Sequence, residues 1–134
     1  MPQLLEFIDK IARDKGRDVL YVTFDVSKQT TQNPERWAVR KELMAWLDTN
    51  DIGYQRCGNV AQLAMMESYE GQLYIDVPFD ESDPQYIKVR DHLEYSDAVP
   101  KIEGVYFWVL PLEDAMRNKH HDEPGFWEDW GDNF

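Results

Sequence analysis

The sequence predicts an α+β fold of order β-α-β-β-α-β with one further helix in front, and three observations lead there. Short runs alternate apolar and polar residues, as where Leu20, Val22, Phe24 and Val26 interleave with Tyr21, Thr23 and Asp25. Two dipeptides, Asn33-Pro34 and Asp83-Pro84, each precede a stretch with helical apolar spacing. The two halves also share a pattern, because Pro34-x4-Val39-Arg40-x2-Leu43 returns fifty positions later as Pro84-x4-Val89-Arg90-x2-Leu93. Two strand-helix units of matching grammar are what a split βαβ, ferredoxin-like sandwich requires.

The elements follow in order. Leu4, Leu5, Ile8, Ile11 and Ala12 share one helical face, with Glu6, Asp9, Lys10 and Arg13 away from it, and Gly16 ends the helix. Asp18 to Val26 is a strand with one strongly apolar face, followed by a polar loop from Ser27 to Gln32. Asn33 can cap a helix whose first position is Pro34 and whose buried stripe is Val39, Leu43, Trp46 and Leu47. Asn50 and Gly53 mark its exit, and a strand bent near Gly58 lies between Gly53 and Met66. Glu70-Gly71 offers a hairpin turn into a strand from Leu73 to Phe79. Asp83-Pro84 starts a second helix that runs to about Tyr95, and after Pro100 and Gly104 the last strand is Val105 to Leu110.

These assignments give one domain over residues 1–119, comprising the helix of 1–16 and a βαββαβ core over 18–110, followed by a tail over 120–134. The chain has 134 residues, enough for a core without disulfides, and at 43% hydrophobic and 13% aromatic it is too apolar for a disordered chain. Its longest apolar runs fall far short of the roughly 20 residues a membrane helix needs. The acidic and basic side chains near the N-terminus argue against a signal peptide, so the expected location is cytoplasmic. Cys57 is the only cysteine, which excludes an internal disulfide and a Cys-rich zinc site.

Formal net charge is −12 and is unevenly spread. Residues 1–57 hold nine Lys/Arg and nine Asp/Glu, whereas residues 58–134 hold five and seventeen. That excess argues against phosphate backbones and anionic lipid as partners, and for a basic protein partner or plain solubility.

In the predicted sandwich the first and third strands are central and parallel, and both core helices cover one face. Alternation then leaves Tyr21, Thr23, Asp25, Tyr74, Asp76, Tyr106 and Trp108 on the open face. Aromatics there resemble the stacking platforms of single-stranded RNA binders, although no aromatic-glycine ribonucleoprotein motif is present and the two aspartates would repel phosphate. Burial of that face against a partner protein, a second subunit, the first helix or the tail is the better expectation. Tyr21, Tyr74, Tyr106 and Trp108 are therefore candidate partner-binding residues.

Asp25 and Asp76, at the ends of adjacent strands, would together hold a divalent cation, as a metal-dependent phosphodiesterase or nuclease requires. The stretch Tyr21-Val22-Thr23-Phe24-Asp25-Val26-Ser27 resembles the first strand of the small dimeric CRISPR-associated endoribonucleases, which closes on an acidic residue. Over these seven residues the resemblance implies a nuclease with Asp25 in its site. The alternative is two strand-end aspartates that face water or cap turns. His120-His121-Asp122-Glu123 reads as a charged turn, since adjacent side chains diverge, and His92 reads as exposed in the place Glu42 holds in the first unit.

The tail interleaves Phe126, Trp127, Trp130 and Phe134 with Glu128, Asp129 and Asp132. One helical turn would set Trp127 and Trp130 on the same side, so the segment can pack on its own domain or dock into a basic-rimmed groove of another protein. No catalytic set and no cofactor motif can be assembled from spacing. The leading expectation is a non-enzymatic regulatory, adaptor or inhibitor domain acting through its acidic half, open face and tail. A metal-dependent hydrolase on Asp25 and Asp76, or a homodimeric small-ligand sensor, are the alternatives.

Overall fold

A computed structural model describes residues 8–29, 31, 33–58, 71–117 and 119. Over these residues the chain is α+β, with four helices and a four-stranded open antiparallel sheet. Helix α1 (Ile8–Lys15) ends where Gly16 takes a φ of +66°, the left-handed conformation that closes a helix most cheaply with glycine. Strand β1 (Val19–Phe24) follows directly.

Asn33 caps as expected, its Oδ1 accepting from Glu35 N at 3.1 Å, but the turn it opens is a single 3-10 turn, Pro34–Arg36. The chain then extends at Trp37, and helix α2 (Ala38–Thr49) begins four residues later than Pro34 suggested. The interruption turns the Trp37 indole inward, 2% exposed, edge-on to Phe24 at 6.0 Å, with Nε1 donating to the Thr31 carbonyl at 2.7 Å. Burial of a large aromatic with its polar atom satisfied outweighs one continuous turn of helix.

Strand β2 (Tyr54–Arg56) pairs with β3 (Leu73–Ile75), and Cys57 N donates to the Gln72 carbonyl at 3.1 Å, so this hairpin is longer than a tight Glu70-Gly71 turn would make it. Helix α3 (Pro84–Leu93) carries the cap its sequence announces, Asp83 Oδ1 accepting from Tyr86 N at 3.0 Å. Strand β4 (Val105–Leu110) occupies its predicted span, and a short helix, α4 (Leu112–Met116), follows.

The sheet order is β2-β3-β1-β4. The central position of β1 and β3 agrees with expectation, but they run antiparallel and not parallel. The reason is topological. The β1-α2-β2 unit returns the chain in the direction of β1, and the β2–β3 hairpin then reverses it.

Two apolar clusters lie on opposite faces of this sheet. On one, Leu43 and Leu47 of α2 and Tyr86, Val89 and Leu93 of α3 pack on Leu20, Val22, Phe24, Leu73, Ile75 and Val105. Each of these aliphatic side chains contributes about 1.5–3 kcal/mol when fully buried. On the other, Ile8, Ile11 and Ala12 of α1 and Ala115 of α4 pack on Val19, Tyr74, Leu110 and Cys57. Among the described residues no helix is long and apolar enough to cross a membrane.

Candidate functional site

Among the described residues the second sheet face is covered over one half only, and the limit of that cover defines the site. The covering helices are fixed by polar contacts. Arg13 Nη1 donates to Asp9 Oδ2 and to the Ala115 carbonyl, both at 3.0 Å, binding α1 to α4 through side chains that are almost wholly buried. Ile8 N donates to the Gly58 carbonyl at 3.2 Å, and Asp18 Oδ1 accepts from Leu112 N at 2.7 Å. Asp9 and Arg13, assigned to the polar side of the first helix by spacing, are buried because α4 lies across that side.

The cover extends to Tyr21, which is half-buried against the second cluster and whose hydroxyl is pushed to a higher pKa by burial. Beyond it no described residue covers the face. Tyr106 is 38% exposed and Trp108 49% exposed, on the face they share with Thr23. Trp108 Nε1 donates to Thr23 Oγ1 at 2.8 Å, so the indole's polar atom is satisfied within the sheet and its ring is left for apolar contact. At the rim, Lys28 Nζ pairs with Glu103 Oε1 at 3.0 Å, a contact that raises the lysine pKa.

Of the four strand aromatics predicted to bind a partner, Tyr106 and Trp108 stand exposed together. Tyr74 does not join them. It is 2% exposed beneath the covering helices, its hydroxyl donating to Asp76 Oδ1 at 2.8 Å and accepting from Arg17 at 3.3 Å. Phe126, Trp127, Glu128, Asp129, Trp130, Asp132 and Phe134, with the His120–Glu123 turn, lie outside the described residues.

Asp25 and Asp76 do not converge. Continuing the β1–β3 register by one residue sets Asp76 level with Val19, six positions from Asp25, or about 20 Å at the usual strand rise. The parallel pairing that would have joined them is absent. Each carboxylate is also engaged locally. Asp25 Oδ1 accepts from Ser27 N at 3.0 Å and Ser27 Oγ at 2.6 Å, which lowers its pKa. Asp76 Oδ1 accepts from Arg17 at 3.0 Å and lies 3.7 Å from Lys15 Nζ. Among the described residues no group of three His, Cys, Asp or Glu side chains is placed to hold a metal ion.

His92 is not the free surface residue its repeat position suggested. Its ring stacks on Trp46 at 3.9 Å and 9°, joining α3 to α2, and burial with the nearby charge of Lys101 lowers its pKa. An ion network with one buried member, Arg40, has little trace in the sequence. Arg40 is wholly buried, Nε donating to the Gly71 carbonyl at 2.9 Å and Nη1 lying 3.4 Å from Glu35. Arg56 grips Glu35 from the other side at 2.7 and 3.0 Å. The repeated Val-Arg pair was its only trace in the sequence, and nothing there separates buried Arg40 from half-buried Arg90.

The chain is thus an α+β protein with an antiparallel sheet that its described helices cover over half of the second face, the other half presenting two exposed aromatics. No family model matches it, and searches of curated proteins and of solved structures return no significant match.

Proposed function

We propose that this chain is a non-enzymatic protein-interaction domain, of adaptor or inhibitor type, that receives a partner protein on the uncovered half of its second sheet face. The observation that carries this reading is the exposure of Tyr106 and Trp108 on one face, with the Trp108 polar atom already bonded to Thr23. An apolar pair of this kind is well suited to be the buried centre of an interface, and polar groups such as Lys28 and Glu103 to be its rim. The net charge of −12, concentrated in residues 58–134, favours a basic partner. The aromatic tail of 120–134 is a second contact in this reading.

The βαββαβ chain order, with β1 and β3 at the centre, supports a ferredoxin-like assignment for a single domain over residues 1–119, and a cytoplasmic location fits the single, buried, unpaired Cys57.

Affinity capture from the native organism with three baits tests the reading. A partner held by the unaltered chain and by Lys88→Ala, released by salt, and lost with Trp108→Glu is the expected result. Equal retention by all three baits would sink it.

A further inference from the structure

Beyond the bare face lies a bare edge. β4 is the last strand of the sheet, and among the described residues nothing pairs with its outer side. Edge strands are normally protected by charge, proline, a bulge or brevity. β2, the opposite edge, is three residues long and carries Gln55 and Arg56. β4 has none of these protections. Val105-Tyr106-Phe107-Trp108-Val109-Leu110 contains no charge and no proline, and its register with β1 runs over six consecutive residues without a slip. Side chains stand exposed on both of its faces, Tyr106 and Trp108 on one and Val109, 38% exposed, on the other, so among the described residues the helical cover that buries Val105 and Leu110 stops short of the middle of the strand.

We propose that the outer edge of β4 pairs antiparallel with β4 of a second copy of this chain, joining the two four-stranded sheets into one. Charge selects both the occupant and the direction. In a chain of net charge −12, an uncharged edge is a place where two copies meet without opposing like charges. By the start of β4 stand Asp25, Lys28, Lys101 and Glu103, a balanced set, whereas its end is followed by Glu113, Asp114, Arg117 and Lys119, with Asp18 bonded to Leu112 N, a set that is net acidic by one charge. Antiparallel pairing sets each balanced start against the acidic end of the other copy, while parallel pairing would bring the two acidic ends together. The contact is isologous, about a two-fold axis perpendicular to the sheet. That axis keeps Tyr106 and Trp108 of both copies on the same side, so the edge contact doubles the bare aromatic face and leaves it free for the partner proposed above.

Sedimentation velocity of the purified full chain, with amide hydrogen exchange followed over a range of protein concentrations, tests the pairing. The expected mass is twice that of one chain, with exchange of residues 105–110 slowing as concentration rises. Val109→Lys raises the dissociation constant at least about tenfold, as a charge placed on an edge strand should. Trp108→Ala puts no charge on the edge, so it keeps the dimer while weakening partner capture, and failure of the dimer and failure of the partner reading are separately visible. The mass of a single chain at every concentration overturns the proposal, as does a dimer whose 105–110 amides exchange at a concentration-independent rate. Should Val109→Lys fail to fold, exchange in the unaltered chain decides by the same criterion.

Discussion

Tyr21 and Trp108 stand directly opposite one another on the β1–β4 pair, on the same sheet face, yet Tyr21 is held against the cluster under α1 and α4 while Trp108 is half exposed. The boundary between structural and available surface passes between two residues that the sequence pattern makes equivalent. Truncation should separate them. Tyr21→Ala is expected to cost about 3 kcal/mol, in the range of a buried aromatic, and Trp108→Ala about 1 kcal/mol or less. Chemical denaturation of both variants measures the difference, and equal losses would mean that the cover extends over both.

The Glu35 carboxyl is held down at about 2, first by its hydrogen bond from Arg56 and also by the charge of Arg40, against a desolvation that raises it. A pKa below that of the unfolded chain gives stability that is fully present above about pH 4.5 and is lost as pH falls toward 2. Solvent reaches 44% of this side chain, so screening limits the effect to about 1 kcal/mol. The difference in thermal midpoint between the unaltered chain and Glu35→Gln should therefore be constant near neutrality and shrink through that acidic window.

Gly71 is required where it stands. Its φ is +87°, and a Cβ there would lie 2.9 Å from Trp37 Cζ3 and 3.0 Å from Pro34 Cβ, beside the carbonyl that receives Arg40. Gly71→Ala should cost about 2–4 kcal/mol from strain and overpacking together. Gly16 has a similar φ of +66° but open space around it, so Gly16→Ala should cost only about 1 kcal/mol. Denaturant midpoints of the pair rank the two.

Burial pushes the Cys57 thiol up to about 12, and its side chain is fully enclosed. At mildly alkaline pH the native protein should react with a thiol reagent at least about a hundredfold more slowly than an exposed cysteine, and denaturant should abolish the difference. Rapid modification of the folded chain would show that α1 does not stay seated on this face.

Element order and caps were legible in the sequence because their causes are local. Asp83-Pro84 caps α3, Gly16 closes α1, and β4 occupies the span of the apolar run after Gly104. What was not legible depends on distant chain. Trp37 interrupts α2 because a pocket beside Phe24 receives it, and Arg40 is buried because Gly71, thirty-one residues on, presents a carbonyl. Spacing sets Asp9 and Arg13 off the apolar face of the first helix, and they are buried because α4, a helix too short to register as a periodicity, closes over them. The parallel pairing expected of β1 and β3 is antiparallel, because the hairpin before β3 reverses the chain, and this separates Asp25 from Asp76. In the site, Tyr106 and Trp108 were legible by alternation, but which strand aromatics stay bare depends on where α1 and α4 settle.

The claim that the bare half of the sheet face is a contact surface is tested most directly by a photo-reactive side chain placed at Tyr106 and activated in living cells of the native organism, with the same group at exposed Lys88 of α3 as reference. The account predicts adducts with a different protein from position 106 that are absent from position 88. Adducts no more frequent from 106 than from 88 would contradict it.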